Sequence, residues 1–252
     1  MSLAHRIIPT ILCRGRQAVK GKRFDSWRPI GMAAEKVRVH QMRGVDELVL
    51  LDITATAEGR GPDLKLVEEL AEGMFAPLAV GGGVRTVDDV RALLRAGADK
   101  VVIGTASLET GVVREAAAVV GSQAITVAID VKDHMVHGRC GSNPYHSSPS
   151  RPLRAASWAM ELVQYGAGEI LLQSIDRDGT LSGYDLALIS EVSRAVGIPV
   201  IASGGAGCYD HMREAIEAGA SAVAAGAMFQ FTDHTPREAA KYLAWKGIEA
   251  RL

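Results

Sequence analysis

Two stretches of this 252-residue chain repeat each other 122 positions apart. GVDELVLLDIT, starting at Gly44, matches GAGEILLQSID, starting at Gly166, and GADKVVIGTA from Gly97 matches GASAVAAGAM from Gly219. Gly82 and Gly83 align with Gly204 and Gly205 at the same offset. Self-similarity over half a chain requires a fold made of two equivalent halves, because each copy needs the same surroundings. Both halves alternate short apolar runs with amphipathic stretches. Strands are expected at 6–12, 47–53, 78–81, 100–104, 124–130, 169–174, 200–203 and 222–226. Helices are expected near 33–44, 63–75, 87–96, 108–120, 153–165, 185–196, 209–218 and 236–246. Near-continuous Val, Ile, Leu and Ala runs suit parallel strands covered on both faces. Eight such units give an α/β fold, a (β/α)8 TIM barrel in a single domain, with half-barrels at about 1–123 and 124–252. An open doubly wound sheet is the alternative arrangement of the same elements. Residues 132–152, rich in His, Ser and Pro, read as a long loop after the fifth strand.

Composition narrows the function classes. A hydrophobic fraction of 48% with 23% charged residues is ordinary for a soluble globular protein, and the length suffices for a sizeable core. The formal net charge of −1 gives no support for binding nucleic acid or a membrane surface. Cys13, Cys140 and Cys208 lie far apart and read as reduced thiols. The opening MSLAHRIIP lacks the apolar core of a signal peptide, and no apolar run is long enough for a bilayer, so a cytoplasmic location is expected.

In a barrel, chemistry sits on the loops that follow the strands. Gly82 and Gly83 end the third strand, and Gly104 and Thr105 end the fourth just before a helix. Glycine lets a backbone approach an anion, and N–H groups at a helix start donate to it. The second half offers Gly204, Gly205, Gly226 and Ala227, with Gly179 of DRDGT beside them. These are two phosphate cradles, suited to a ligand with a phosphate at each end; tight strand–helix turns are the plainer reading. Asp130 closes AITVAID, Asp176 closes ILLQSID, Asp178 follows in the next loop, and Asp52 closes LVLLD. Acids at the ends of apolar strands are candidates for proton transfer, with helix capping or pairing to an Arg such as Arg177 as the alternative. His134, His137, Cys140 and His146 have a spacing that fits no standard metal site, so a surface loop is the preferred reading. No metal and no cofactor are expected.

The segments RIIP, VDELVLLDITAT, VGGGVRTVDD, GADKV, GSQAITVAID, GAGEILLQSIDRDGTLSGYD and IPVIASGGAG resemble HisF, the cyclase subunit family of imidazole glycerol phosphate synthase, over nearly the whole chain. The resemblance implies use of ammonia from a glutaminase partner to cleave and cyclise a bisphosphorylated substrate. It yields imidazole glycerol phosphate and an aminoimidazole carboxamide ribotide. It implies two aspartates at the ends of strands one and five. Asp130 matches the second, and Lys20 matches a lysine of the mobile first loop. Leu12 stands where the first aspartate is expected, and it can neither accept nor donate a proton. Loss of one general acid/base group costs about 10²–10⁴ in rate. Cys13, next along the strand, should face the other way. The first loop, GKRFDSWRPIGMA, lacks the family's Gly-Asp-Pro; the strand-five hairpin is replaced; and Gly104 stands where an asparagine is usual.

At the opposite end of the barrel, the resemblance implies an ammonia entrance ringed by Arg6, Glu47, Lys100 and Glu169, with Asp99 touching a glutaminase on the N-terminal face. Mutual pairing of two acids and two bases is the structural alternative. Three functions fit: a diverged ammonia-accepting synthase subunit (for example one in amidino modification of a sugar), a genuine histidine-pathway cyclase, and a non-catalytic barrel that binds a phosphorylated ligand or scaffolds a complex. Leu12 weighs against the second, and the ring against the third.

Overall fold

The structure, a computed structural model, describes residues 4–251 apart from 110, 140, 142, 145, 149 and 150. Eight strands run in parallel: β1 Arg6–Arg14, β2 Leu48–Asp52, β3 Leu78–Gly81, β4 Lys100–Ile103, β5 Ile125–Lys132, β6 Glu169–Ser174, β7 Val200–Ser203 and β8 Ala222–Ala225. Each pairs with the next in sequence, and β8 pairs with β1, so the sheet closes without an edge. That closure excludes the open doubly wound sheet. Helices α1 Ala33–Met42, α2 Leu64–Ala71, α3 Val87–Arg95, α4 Val112–Val120, α5 Ala155–Gln164, α6 Leu186–Ala195, α7 Tyr209–Glu217 and α8 Pro236–Trp245 follow the strands in turn. Short helices Ala106–Glu109 and Ala227–Phe231 precede α4 and α8. Among the described residues no helix is long and apolar enough to cross a membrane.

The repeat carries local signals as well as apolar runs. Asp63 caps α2 by accepting from Leu66 N, and Asp185, its repeat mate, caps α6 by accepting from Leu188 N. Thr86 and Asp89 form a reciprocal capping box on α3, and Thr235 with Pro236 starts α8. Alternation along each strand then builds two apolar layers. One fills the barrel itself with Ile8, Val49, Ala79, Val102, Leu171, Ile201, Ala222 and Ala224. The other lies between strands and helices and includes Ile7, Leu48, Leu50, Val101, Val127, Ile170 and Val223.

Two segments differ from the sequence expectation. The first loop is an antiparallel hairpin, Gln17–Lys22 with Asp25–Met32, continuing β1 through a turn at Gly15. Residues 132–152 are likewise no simple loop: β5 turns at 133–134 and pairs back with Met135–Gly138, which pairs with Asn143–Pro144. Both tips have two successive residues at positive φ, Arg23 (53°) with Phe24 (58°) and Asp133 (50°) with His134 (61°). This is the arrangement of a two-residue type I′ turn, usually built from Asn-Gly or Gly-Gly. Arg23 N donates to the Asp178 carbonyl (2.8 Å), tying the first hairpin to the loop after β6.

Thr86→Ala should lower stability by about 1 kcal/mol, the usual cost of a lost N-cap. Urea unfolding should show a lower midpoint with an unchanged slope.

Candidate functional site

A cavity of about 1020 Å³, counting space open to solvent, lies at the C-terminal mouth of the barrel. Gly82, Gly83, Gly104 and Thr105 line it from the first half, and Gly179, Gly204, Gly205, Gly226 and Ala227 from the second. The two expected cradles therefore share one cavity. At Gly205 (φ 109°) an added Cβ would collide with the Gly183 carbonyl oxygen, so only glycine fits that turn. Gly104 differs: a Cβ there would meet nothing within 4 Å, so the missing side chain leaves space in the first cradle. Thr105 Oγ1 accepts from Arg139 N (2.9 Å), which brings the strand-five hairpin to the cradle rim.

The acids separate into distinct environments. Asp130, on β5, keeps a face on the cavity but is otherwise enclosed by protein. Burial pushes its carboxyl up to about 7, the Gln173 Nε2 donor (2.8 Å) works against this, and the negative charge of Asp178 adds to it. Asp178 is 8% exposed and lines the cavity, its Oδ1 accepting from Lys20 Nζ at 2.9 Å. Its Oδ2 has no hydrogen-bond partner. Asp52 lines the cavity too, but its oxygens accept from Thr54 N and Oγ1, Ala55 N and the Arg60 guanidinium, which fixes the loop after β2. Asp176 does not line the cavity; its Oδ2 accepts from Asp133 N (3.2 Å) at the strand-five turn. Its carboxylate thereby ties the loop after β6 to the strand-five turn.

Leu12 lines the cavity from β1, four strands around the ring from Asp130 and so on the opposite wall. Cys13 faces the outer apolar layer, donates weakly to the Leu51 carbonyl (3.6 Å), and has its thiol pushed up to about 12, chiefly by burial and then by Asp52. It cannot replace a carboxylate at the mouth. The hairpin after β1 roofs the cavity with Phe24 and Trp27, whose ring centroids lie 6.3 Å apart. Sequence reasoning passed over several cavity residues, among them Gln173, Thr10, Phe24 and Trp27. Alternation from Leu171 and Ile8 would have placed Gln173 and Thr10 inside; the two aromatics depend on a hairpin whose turn carries no recognisable signal.

The loop histidines have ordinary partners. His134 Nδ1 lies 2.8 Å from Glu191 Oε2, and His137 Nδ1 lies 3.2 Å from the Gly141 carbonyl. Cys140 is outside the described residues, and only the backbone of His146 is described. Among the described residues no group of three or more potential ligands comes together for a metal.

At the N-terminal end, four charges close a ring inside the barrel. Arg6 bridges Glu47 (2.6 Å) and Glu169 (2.7 Å), and Lys100 bridges the same two acids (3.1 and 2.8 Å). Burial opposes the charge on Arg6, but Glu47 and Glu169 outweigh it and hold the guanidinium above its usual range. Burial likewise opposes ionisation of Glu169, and Arg6 and Lys100 overcome it to hold the carboxyl below its usual range. Asp99 stands apart: its Oδ2 accepts from Leu78 N (2.8 Å), fixing the start of β3.

Two outcomes follow from this geometry. Because the Asp130 carboxyl sits at about 7 when folded and near 4 when unfolded, the native state keeps a proton that the unfolded chain has released. Its contribution to stability is therefore lost as pH rises from roughly 4 to 7. Urea unfolding across this window should show that loss in the wild type and its removal in Asp130→Asn. Glu47→Ala should cost about 3 kcal/mol, because it leaves two half-buried cations with Glu169 as their remaining ring partner; a thermal or urea midpoint within error of wild type would contradict this.

The family model described as histidine biosynthesis protein matches residues 6–235, from the first residue of β1 to the N-cap of α8. The closed barrel, its half-chain repeat and its paired glycine cradles agree with that match, and the chain belongs to the histidine biosynthesis protein family.

Proposed function

We propose that this chain is a HisF-like synthase subunit that takes ammonia from a separate glutaminase and acts on a phosphorylated small molecule, in a reaction diverged from histidine cyclisation. The observation that carries the reading is the composition of the mouth. Two glycine cradles and Asp130 share a cavity with Leu12, which faces Asp130 from the opposite wall. A ligand anchored at both cradles lies across Asp130, Gln173 and the Lys20–Asp178 pair, and meets a hydrocarbon wall where a second acid would stand. One carboxyl poised near neutrality serves a single proton transfer. Replacement of an amide carbonyl oxygen on a sugar by the ammonia nitrogen, the oxygen leaving as water, gives an amidino group and is a reaction of this type.

The opposite end supports a docked partner. Met42 ends α1, Phe75 lies between α2 and β3, and Trp245 ends α8, and they are 85%, 97% and 75% exposed. In a parallel barrel these helix ends stand on the N-terminal face, in three consecutive units around the charge ring. Large exposed apolar side chains grouped on one face are a feature of interaction surfaces. Asp99, already bonded to Leu78 N, contributes to docking only through the oxygen that remains. The genuine histidine cyclase is the second reading, favoured by the cradles and weakened by Leu12.

The expected outcome is stimulation of the co-encoded glutaminase by this chain, measured as glutamine-dependent ammonia release with and without it. Ammonia-dependent cyclisation of the histidine-pathway bisphosphate should be poor in the wild type and rise by about 10²-fold or more in Leu12→Asp. Efficient wild-type cyclisation, or rescue of a cyclase-deficient histidine auxotroph, would establish the second reading. If the glutaminase is neither bound nor stimulated, a phospholigand-binding scaffold takes its place.

A further inference from the structure

The two cradles differ in the charge around them. Beside the first, the cations are engaged by acids: Arg60 pairs with Asp52 and Glu58, and Arg139 lies 3.6 Å from Glu109. Arg85, two residues past Gly83, lines a separate surface hollow with Asp88 and Glu115. Beside the second cradle the cations are free. Lys22, Arg23 and Arg177 are exposed, and none forms an ion pair among the described residues. All three are seated on the cradle loops. Lys22 Cα lies 3.1 Å from where a Cβ on Gly179 would stand, and Arg177 Cβ lies 3.1 Å from where a Cβ on Gly205 would stand. Arg23 N donates to the Asp178 carbonyl at 2.8 Å.

The excess of positive charge is local. Residues 14–28 hold six cations and one acid in a chain whose net charge is −1, so the first hairpin is basic on an otherwise acidic molecule. The one acid, Asp25, stands across from Lys22, but its Oδ1 accepts from Ser26 N and no ion pair joins it to Lys22. Lys20 is neutralised by Asp178, and Asp176 Oδ2 accepts from Asp133 N at the strand-five turn. The hairpin tip holds Arg23 (φ 53°) and Phe24 (58°) where Asn-Gly would sit without strain. Side chains kept in such conformations cluster at ligand sites. The backbone N–H groups of a glycine cradle already serve one phosphate; three unpaired cations beside it supply donors for a second. Lys and Arg are well suited to phosphoryl oxygens, with Arg able to give two parallel hydrogen bonds.

We propose that Lys22, Arg23 and Arg177 form an outer phosphoryl subsite, so that the second cradle and these cations together hold a diphosphate. The ligand class is then a diphosphate ester, its most heavily charged end fixed at the second cradle and the rest reaching across the mouth toward Asp130. The subsite rests on reading that cradle as a phosphate site.

The experiment titrates the full chain with inorganic phosphate and with pyrophosphate at constant ionic strength. Backbone amide resonances of Gly205 and Gly226 report the second cradle, and those of Gly83 and Gly104 the first. Pyrophosphate should saturate the second-cradle shifts at a concentration about tenfold or more below that of phosphate. Lys22→Gln, Arg23→Gln and Arg177→Gln together should remove most of that preference and leave phosphate affinity nearly unchanged. Arg14→Gln with Arg28→Gln removes charge from the same hairpin where it faces Trp27 and Phe231, and should keep the preference. Equal wild-type affinities for the two anions, or a preference untouched by the triple change, would overturn the subsite while leaving the phosphate cradle standing. A comparable loss in the Arg14 and Arg28 variant would also overturn it, reducing the hairpin to a steering field. Binding of neither anion would overturn both the subsite and the phosphate reading. If the triple variant loses phosphate as well, Arg177→Gln decides, since it lies on a different loop from the hairpin. Several-fold weaker pyrophosphate binding there supports the subsite, and wild-type affinity overturns it.

Discussion

Closure of the barrel through the β8–β1 ladder is the constraint on which the rest depends. Arg6 pairs with Ala222 and Pro9 with Ala225 in this ladder, and Glu169 pairs with Thr126 where β6 meets β5. Once the ring is closed, residues two apart on a strand share the interior, and their height along the axis is fixed. On β1 this stacks Arg6, Ile8, Thr10 and Leu12 from the N-terminal end to the mouth. On β5 it stacks Thr126, Ala128 and Asp130, and on β6 Glu169, Leu171 and Gln173. Charge ring, apolar layer and open cavity are consecutive floors of one column. A one-residue slip of any strand would turn its whole series outward.

The ring and the mouth obey different energetics. Each ring charge has two partners of opposite sign, and Glu47 has only 3% of its side chain exposed. Taking one member away strands its neighbours in a region with little water, at a cost far above that of a surface pair. The four residues can therefore change only together. Leu12 and Gly104 are under no such tie, since no polar partner depends on the side chain at either place. The mouth is thus free to alter its chemistry on a scaffold whose N-terminal end is locked by its own electrostatics.

Much of this architecture was legible in the sequence because its signals were local and doubled. Strand bounds at 78–81, 169–174 and 200–203 coincide with β3, β6 and β7, and the Asp63 and Asp185 caps recur with the repeat. The glycine cradles were legible for the same reason, two halves giving one pattern. Both hairpins were missed because their turns use Arg23–Phe24 and Asp133–His134, side chains that pay a steric cost at positive φ and so give no Gly or Asn signature. The aromatic roof of Phe24 and Trp27 was hidden with them. The tie from Asp176 to the strand-five turn joins two loops, and no local signal in the sequence displays it.

These differences indicate which residues carry functional information. The ring is explained by its own pairing, Asp52 by the loop it holds, Asp99 by Leu78 N and Asp176 by the strand-five turn. At the mouth, pairing leaves the carboxyl of Asp130 unexplained, which burial holds protonated up to about 7. A leucine across from Asp130 sharpens this contrast. It removes a like charge that would have favoured protonation of Asp130, and it supplies hydrocarbon that also favours protonation by excluding water. The two effects oppose each other, and burial, the largest cause of the raised carboxyl, remains when the second acid is lost. The mouth keeps one carboxyl able to change its charge near neutral pH, beside the buried Lys20–Asp178 ion pair.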